Sequence, residues 1–263
     1  MEEEIPVVYK YKLSIITVNL NNRDGLQKTI ESVISQTFRD FEWIIIDGGF
    51  TDGSKELIEK YSDHINFWVS EPDKGIYNAM NKGIRKSNGE YLLFLNSGDY
   101  LYNTEVISQA IKLLKDRDYY IGNEIRPNGI FNVKMESEYE IIKNLIENYF
   151  PHQSTFIKKN IFIKYGLYRE DKKIVSDWEK YYKSIILGNA TIQKIPLIIS
   201  VFNEEGYSFK NIPLALKERK EILEETPYIL NISRFYIKYF NIIEKLKKYH
   251  LLKKLYLRFF FKN

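Results

Sequence analysis

Cysteine is absent from the 263 residues, which excludes disulfides and thiolate-bound metal and agrees with a reducing compartment. Histidine is scarce, and His64 and His250 have no chemical company in the sequence. No uninterrupted apolar run reaches the roughly 18 residues that a membrane-spanning helix needs. The start, Met1-Glu2-Glu3-Glu4-Ile5-Pro6, lacks the basic residues and apolar core of a signal peptide. No internal repeat and no flexible linker interrupt the chain.

What is present is an ordinary globular composition, 44% hydrophobic, in a chain long enough to bury a full core. The charge is uneven. From Arg234 onward nine basic residues stand against a single acid, Glu244, so a strongly basic end follows a net acidic body. Such an asymmetry points to an anionic partner for the end alone.

The first half alternates strand and helix signals. Short apolar runs at 13–18, 41–46, 66–69 and 91–95 predict strands. Helical spacing over 25–35, 54–61, 76–85 and 106–114 separates and follows them, with Asn103 or Thr104 expected to cap the last. Helices between strands imply crossover connections, hence an α/β fold with a mostly parallel sheet. The second half is less regular. It reads as strands at 119–124, 130–134, 154–157 and 191–201, and helices at 139–147, 161–165, 177–187 and from 212 onward. One catalytic domain is expected over 1–207, with a basic amphipathic helical tail over 208–263.

Several strands end in polar groups. The run Glu90-Tyr91-Leu92-Leu93-Phe94-Leu95 stops at Asn96-Ser97-Gly98-Asp99. A carboxylate at the carboxyl end of a core strand sits where open α/β sheets bind ligands, and it is a hard oxygen ligand for Mg²⁺ or Mn²⁺. Ser14-Ile15-Ile16-Thr17-Val18 runs into Asn19-Leu20-Asn21, and Ile44-Ile45-Ile46 into Asp47-Gly48-Gly49-Phe50-Thr51-Asp52-Gly53-Ser54. The glycines of the second segment permit a tight turn close to a ligand. Taken singly, each segment is equally a plain βα turn with an N-cap.

The ordered set, with Glu71-Pro72-Asp73-Lys74-Gly75-Ile76-Tyr77-Asn78-Ala79-Met80-Asn81-Lys82-Gly83-Ile84 between them, resembles the family 2 inverting glycosyltransferases of GT-A fold. It looks most like the branch that builds bacterial exopolysaccharide and surface glycans, colanic-acid-type transferases among them. The likeness covers roughly 12–205.

The resemblance implies a Rossmann-like central sheet flanked by helices and a nucleoside diphosphate sugar donor. It places Val18 and Asn19 against the nucleoside and Asp47 on the base. Asp99 matches the last acid of the family's DxD-like motif, the ligand of Mn²⁺ or Mg²⁺ on the diphosphate. Gly75, Asn81 and Asn96 fall in the matching donor segments. The usual second acid after strand two is Gly48 here, and the usual Arg of the middle motif is Met80, so Asp73, Lys74 or Lys82 is expected to compensate.

On the acceptor side, Ile174-Val175-Ser176-Asp177-Trp178-Glu179 resembles the stretch that carries the catalytic base, with Asp177 the matching acid. The bland alternative is a capping box from Ser176 to Glu179. Phe150-Pro151-His152-Gln153-Ser154-Thr155 is similar to a segment near the donor phosphates, where His152 could donate to a phosphate or sugar hydroxyl. The Gln-x-x-Arg-Trp signature of processive members is missing, so one hexosyl or N-acetylhexosaminyl unit is expected per transfer.

Basic residues interleaved with aromatics in the tail suit an anionic bilayer surface. That predicts a cytoplasmic protein, peripheral on the inner face of the cell membrane, acting on a glycan or lipid-linked glycan acceptor. The other reading is that the apolar tail face packs on the catalytic domain or on a second subunit, which would make a homo-oligomer. The acidic body argues against a nucleic-acid partner. Two alternatives remain: a sugar nucleotidyltransferase, and a silent sugar-nucleotide-binding module.

Overall fold

The computed structural model describes residues 8–147, 150–203 and 206–225. In chain order the first half runs β1 (Tyr11–Asn19), α1 (Arg23–Ile34), β2 (Glu42–Asp47), α2 (Ser54–Lys60), β3 (Phe67–Ser70), α3 (Ile76–Lys86) and β4 (Gly89–Phe94). There follow β5 (Tyr100–Leu101), α4 (Val106–Ile111), β6 (Tyr119–Arg126), β7 (Gly129–Phe131), α5 (Glu138–Glu147) and β8 (Thr155–Lys158). The last are α6 (Asn160–Tyr165), α7 (Ser176–Tyr182), β9 (Ile192–Val201), α8 (Tyr207–Lys210) and α9 (Ile212–Glu225).

The strands form one sheet in the order β3-β2-β1-β4-β8-β6-β9-β5, with β7 paired to β6. The first four strands are parallel. β8 then inserts between β4 and β6 and runs against both, while β9 is parallel to β6. The sheet is therefore mixed. The parallel expectation describes its first half, where every connection is a helical crossover.

Strands β1, β2 and β4 are covered on both faces, which is why they read as near-continuous apolar runs. Alternate side chains point to opposite faces. Leu13, Ile15, Trp43, Ile45 and Leu93 pack under α1, α2 and α4. Ile16, Ile44, Ile46, Leu92 and Phe94 pack under α3, α6 and α7. Two cores on one sheet hold the carboxyl ends of β1, β2 and β4 in line.

Two local expectations change. The residue before α4 is Glu105, with no side-chain cap; Asn103 Oδ1 instead accepts from the Glu105 amide at 2.9 Å. The capping box at α7 does not form either. Ser176 is already helical, and its hydroxyl accepts from the Arg169 amide at 2.5 Å. Glu179 turns to Arg169 and Lys183.

The described start of the expected tail lies on the catalytic domain. Ile222 of α9 packs with Val175, Trp178 and Tyr182 of the α7 region. Glu218 accepts from the amides of Lys173 and Ile174 at 2.8 and 3.0 Å, which pins the loop that enters α7. Residues 226–263, with all nine basic residues of the expected membrane-binding end, lie outside the described residues. Among the described residues no helix is long and apolar enough to cross a membrane.

Candidate active site

The carboxyl ends of β1, β2 and β4 carry three linked loops. Asn19 closes β1, and its Nδ2 donates to Asp47 Oδ1 at 2.7 Å and to Ser54 Oγ at 2.9 Å. A carboxylate only accepts, so this fixes the amide orientation and leaves Asn19 Oδ1 buried without a donor. Asp47 Oδ2 accepts from Ser70 Oγ at 2.6 Å and from the Gly49 amide at 3.2 Å. Asp47 has no exposed surface. Asp47 organises the loop, and Asn19 Oδ1 is an acceptor left open beside it. Val18 is also buried, and its carbonyl takes the Ser97 amide at 3.0 Å, joining the β1 and β4 loops.

Gly48 has a steric reason. A Cβ there would stand 2.6 Å from Leu20 Cδ1 and 3.0 Å from Asp73 Oδ2, so a side chain at this position requires Leu20 and Asp73 to shift.

The loop after β4 presents Asp99. Gly98 adopts φ 102, a backbone conformation that other residues reach only with strain, and its amide donates to Thr29 Oγ1 at 3.0 Å. That hydroxyl donates in turn to the Asp99 carbonyl at 2.7 Å. Asp99 is 5% exposed. Its Oδ1 accepts from the Asn203 amide at 2.9 Å, and no described residue hydrogen-bonds Oδ2. Burial pushes its carboxyl up to about 7, against the pull of the Asn203 amide and of His152, while Glu124 adds to the rise. A buried carboxylate with one free oxygen fits a hard divalent cation, whose charge would offset the desolvation. Among the described residues no cluster of three ligating side chains exists, so such an ion would rely on substrate phosphates for most of its shell.

The segment after β3 forms a rim. Asp73 Oδ1 accepts from the Gly75 amide at 2.8 Å, and the Lys74 amide donates to Asn78 Oδ1 at 3.2 Å. Lys74 itself is exposed and makes no ion pair among the described residues, so it is the cation still available for a diphosphate. Lys82 is engaged, 2.7 Å from Glu71 Oε1. Asn81 clamps α3 to the loop between α6 and α7. It is buried, donates to Tyr168 O and Glu170 Oε1 at 2.9 Å each, and accepts from the Tyr168 amide.

Asp177 opens α7. Its Oδ1 lies 2.8 Å from the Tyr77 hydroxyl, which also stands 2.5 Å from the Ile174 carbonyl; one proton serves one of them at a time. Its Oδ2 lies 3.1 Å from His152 Nδ1. Burial alone would raise Asp177, but His152, Tyr77 and the Trp178 amide outweigh it and hold the carboxyl below its ordinary value. His152 moves the opposite way. Burial lowers it, and Asp177, Asp99 and Glu124 more than restore it, so it is raised above its ordinary value.

The His152 Nε2 lies 3.1 Å from Asn96 Nδ2. Both ring nitrogens thus have partners within the protein. The structure gathers Asn96, His152 and Asp177 into one chain beside Asp99.

Sequence reasoning missed Tyr77 and Glu124. Tyr77 stands inside a quoted motif, but its partner Asp177 is 100 residues away. Glu124 sits near the end of β6, fully buried, taking Gln153 Nε2 at 2.5 Å and Arg126 Nε at 2.6 Å. The signal that singled out Asp99, a carboxylate at the end of a buried strand, also marks Glu124.

An α/β sheet with polar loops at its strand ends and two differently held carboxylates has the layout of a ligand-binding α/β enzyme site. The profile described as "Glycosyl transferase family 2" matches residues 14–169. The chain belongs to that family and has the GT-A fold. The matched span ends before Asp177.

An uncharacterized glycosyltransferase of Mycobacterium tuberculosis is 34% identical over 174 residues, 64% of this chain and 66% of that protein. A PGL/p-HBAD biosynthesis glycosyltransferase of the same species is 24% identical over 199 residues, 73% of this chain and 77% of the relative. Among solved structures, S. aureus TarS 1–349 in complex with UDP-GlcNAc has a TM-score of 0.64 at 19% identity, covering 76% of this chain and 61% of that one. The mannosyltransferase PcManGT of Pyrobaculum calidifontis, in complex with GDP-Man and Mn²⁺, has 0.61 at 16%, covering 88% and 73%. The chain spans just under two thirds of the first relative and of TarS 1–349.

Proposed function

We propose that this chain is an inverting transferase that moves one sugar from a nucleoside diphosphate sugar to a hydroxyl of a surface-glycan acceptor. One observation carries the reading: the loop bearing Asp99 and the helix start bearing Asp177 are joined through Asn96 and His152. A donor group and an acceptor base side by side are what a single displacement needs.

In that displacement the acceptor oxygen bonds to the anomeric carbon while the bond to the diphosphate oxygen breaks. The electron pair leaves on the diphosphate. Asp177, ionised and held from two sides, takes the acceptor proton. Asp99 holds Mn²⁺ or Mg²⁺, which when bound neutralises charge on the diphosphate. Lys74 adds a second positive charge at the rim. Asn19 Oδ1 accepts from a donor group of the nucleoside, and Asp47 acts by holding Asn19 and the Gly49 turn.

The sugar is a hexosyl or N-acetylhexosaminyl unit. UDP-GlcNAc and GDP-Man, bound by the structural neighbours, are the first donors to try. The tail beyond the described residues docks on an anionic membrane surface, where a lipid-linked acceptor would be presented; flotation of the full chain with anionic but not neutral vesicles tests this. The reaction is tested by Asp177→Asn. Turnover should fall about 10²–10⁴-fold, the usual worth of a positioned base, with donor binding unchanged. Full turnover in that variant would sink the reading.

A further inference from the structure

His152 spends both ring nitrogens inside the protein, and their partners constrain its neutral tautomer. Asp177 as a carboxylate only accepts, so Nδ1, at 3.1 Å, carries a hydrogen. Asn96 Nδ2 only donates, so Nε2, also at 3.1 Å, carries the lone pair. The neutral imidazole is therefore the Nδ1–H tautomer. Asn96 Oδ1 is buried and accepts from nothing. A half-turn of the amide would bring that oxygen to Nε2, so one asparagine can serve the neutral ring or, turned, an imidazolium. Asn96 stands three positions before Asp99 on the β4 loop, and Asp177 opens α7. His152, on the turn before β8, bridges the two.

We propose that His152 is a positioning residue for sugar transfer: its Nδ1–H aims Asp177 at the acceptor's proton, and Asn96, on the donor loop, holds His152 in turn. The proposal rests on the reading of Asp177 as the base. His152 holds Oδ2, Tyr77 shares its one proton between Oδ1 and the Ile174 carbonyl, and lone pairs remain on the carboxylate for the acceptor hydroxyl. The proton goes to Asp177; His152 keeps its own. An imidazolium at the same place would weaken the base through its charge, so the neutral ring is the working form. The charged and titratable groups facing His152 are Asp177 on α7, Asp99 on the β4 loop and Glu124 on β6. Tyr77 of α3 lies beyond Asp177, and Arg126 is paired with Glu124. This negative ring favours the cation and places the acid limb of turnover at or above the ordinary imidazole range.

The test needs no known acceptor. The chain has three histidines, so nitrogen NMR of histidine-labelled protein resolves His152, identified by its loss in His152→Gln. The expected result is an Nδ1–H tautomer whose titration moves down in Asp177→Asn and up in Asn96→Asp. An Nε2–H tautomer, or a titration indifferent to both variants, overturns the proposal. The kinetic arm follows hydrolysis of UDP-GlcNAc or GDP-Man with Mn²⁺, water standing for the acceptor. His152→Leu should lower kcat roughly 10–100-fold, the scale set by a small misplacement of a reacting group, with donor KM unchanged. His152→Asn, whose amide N–H lies where Nδ1–H lies, should keep more turnover, and the acid limb should move down in both. Equal losses with an unmoved acid limb would mean packing alone. If Asp177→Asn stays fully active, the base reading fails; if it is inactive and the His152 variants behave as wild type, only the positioning role fails. If neither nucleotide sugar is turned over, the NMR arm decides.

Discussion

The loop after β4 and the start of α7 each carry one buried carboxylate, and the protein treats them oppositely. Asp99 receives one amide, and burial pushes it up to about 7. Asp177 receives His152 and Tyr77, and is held below its ordinary value although burial opposes this. The difference teaches how one sheet end divides labour. A carboxylate kept short of donors leaves an oxygen that a cation would complete. A carboxylate supplied with donors stays ionised and waits for a proton. Their regions differ in the same way. Asp99 belongs to the parallel half, where each loop follows its strand. Asp177 belongs to the mixed half, where its partners come from α3 and from the turn before β8.

The comparison is broken most severely at Asp99. Asp99→Asn should abolish metal-dependent turnover and the thermal stabilisation that a nucleotide sugar gives with Mn²⁺ present, whereas Asp177→Asn should keep that stabilisation. The same substitution removes a buried charge, so the metal-free Asp99→Asn protein at pH 8 should melt no lower than wild type. A calorimetric scan of both variants with and without metal separates the roles.

Next in size is the support of α7. Ile222→Ala opens a cavity against Trp178 and Tyr182 and should cost about 2–4 kcal/mol of stability, read by denaturant unfolding. The Asp99 loop is held instead by Thr29 of α1, which Ile222 does not touch, so turnover should suffer at α7 while donor binding holds.

The pH dependence sharpens the contrast with a smaller signal. His152 is raised above 6.5, so its contribution is full below that pH and is lost as pH rises through the folded value. Asp177 is lowered below 3.8, so its contribution is present above that pH and is lost as pH falls through the folded value. Melting temperature should therefore decline above pH 6.5 in wild type, and that decline should flatten in Asp177→Asn. The smallest effect is expected at the rim. Lys82→Ala removes a surface pair with Glu71 and should cost less than about 1 kcal/mol, with little change in donor affinity. A large loss of donor binding there would move the diphosphate cation from Lys74 to Lys82.

Much of the parallel half was legible in the sequence. Strands β1, β2 and β4 announce themselves as apolar runs because both faces are covered, and each ends at a polar residue in the sheet's binding edge. The glycines after β2 and Gly98 before Asp99 signal turns for local reasons. Asp47, Asn81 and His152 share one ambiguity in the sequence: a polar residue in a donor motif reads alike whether its hydrogen bonds go to a ligand or to a distant part of the chain. Asn81 clamps Tyr168, and Asp47 clamps Ser70 and Gly49. The capping box at Ser176 failed because Arg169 competes for the same hydroxyl.

The sequence by itself determined the α/β alternation, the family motifs and which carboxylates close buried strands, since these follow from periodicity and short-range turn chemistry. Only the tertiary structure decided the insertion of β8 against its neighbours, the docking of α9 on α7, and the chain from Asn96 through His152 to Asp177. Those rest on contacts between residues far apart in the chain, and whether a carboxylate is ionised depends on which donors the fold brings to it.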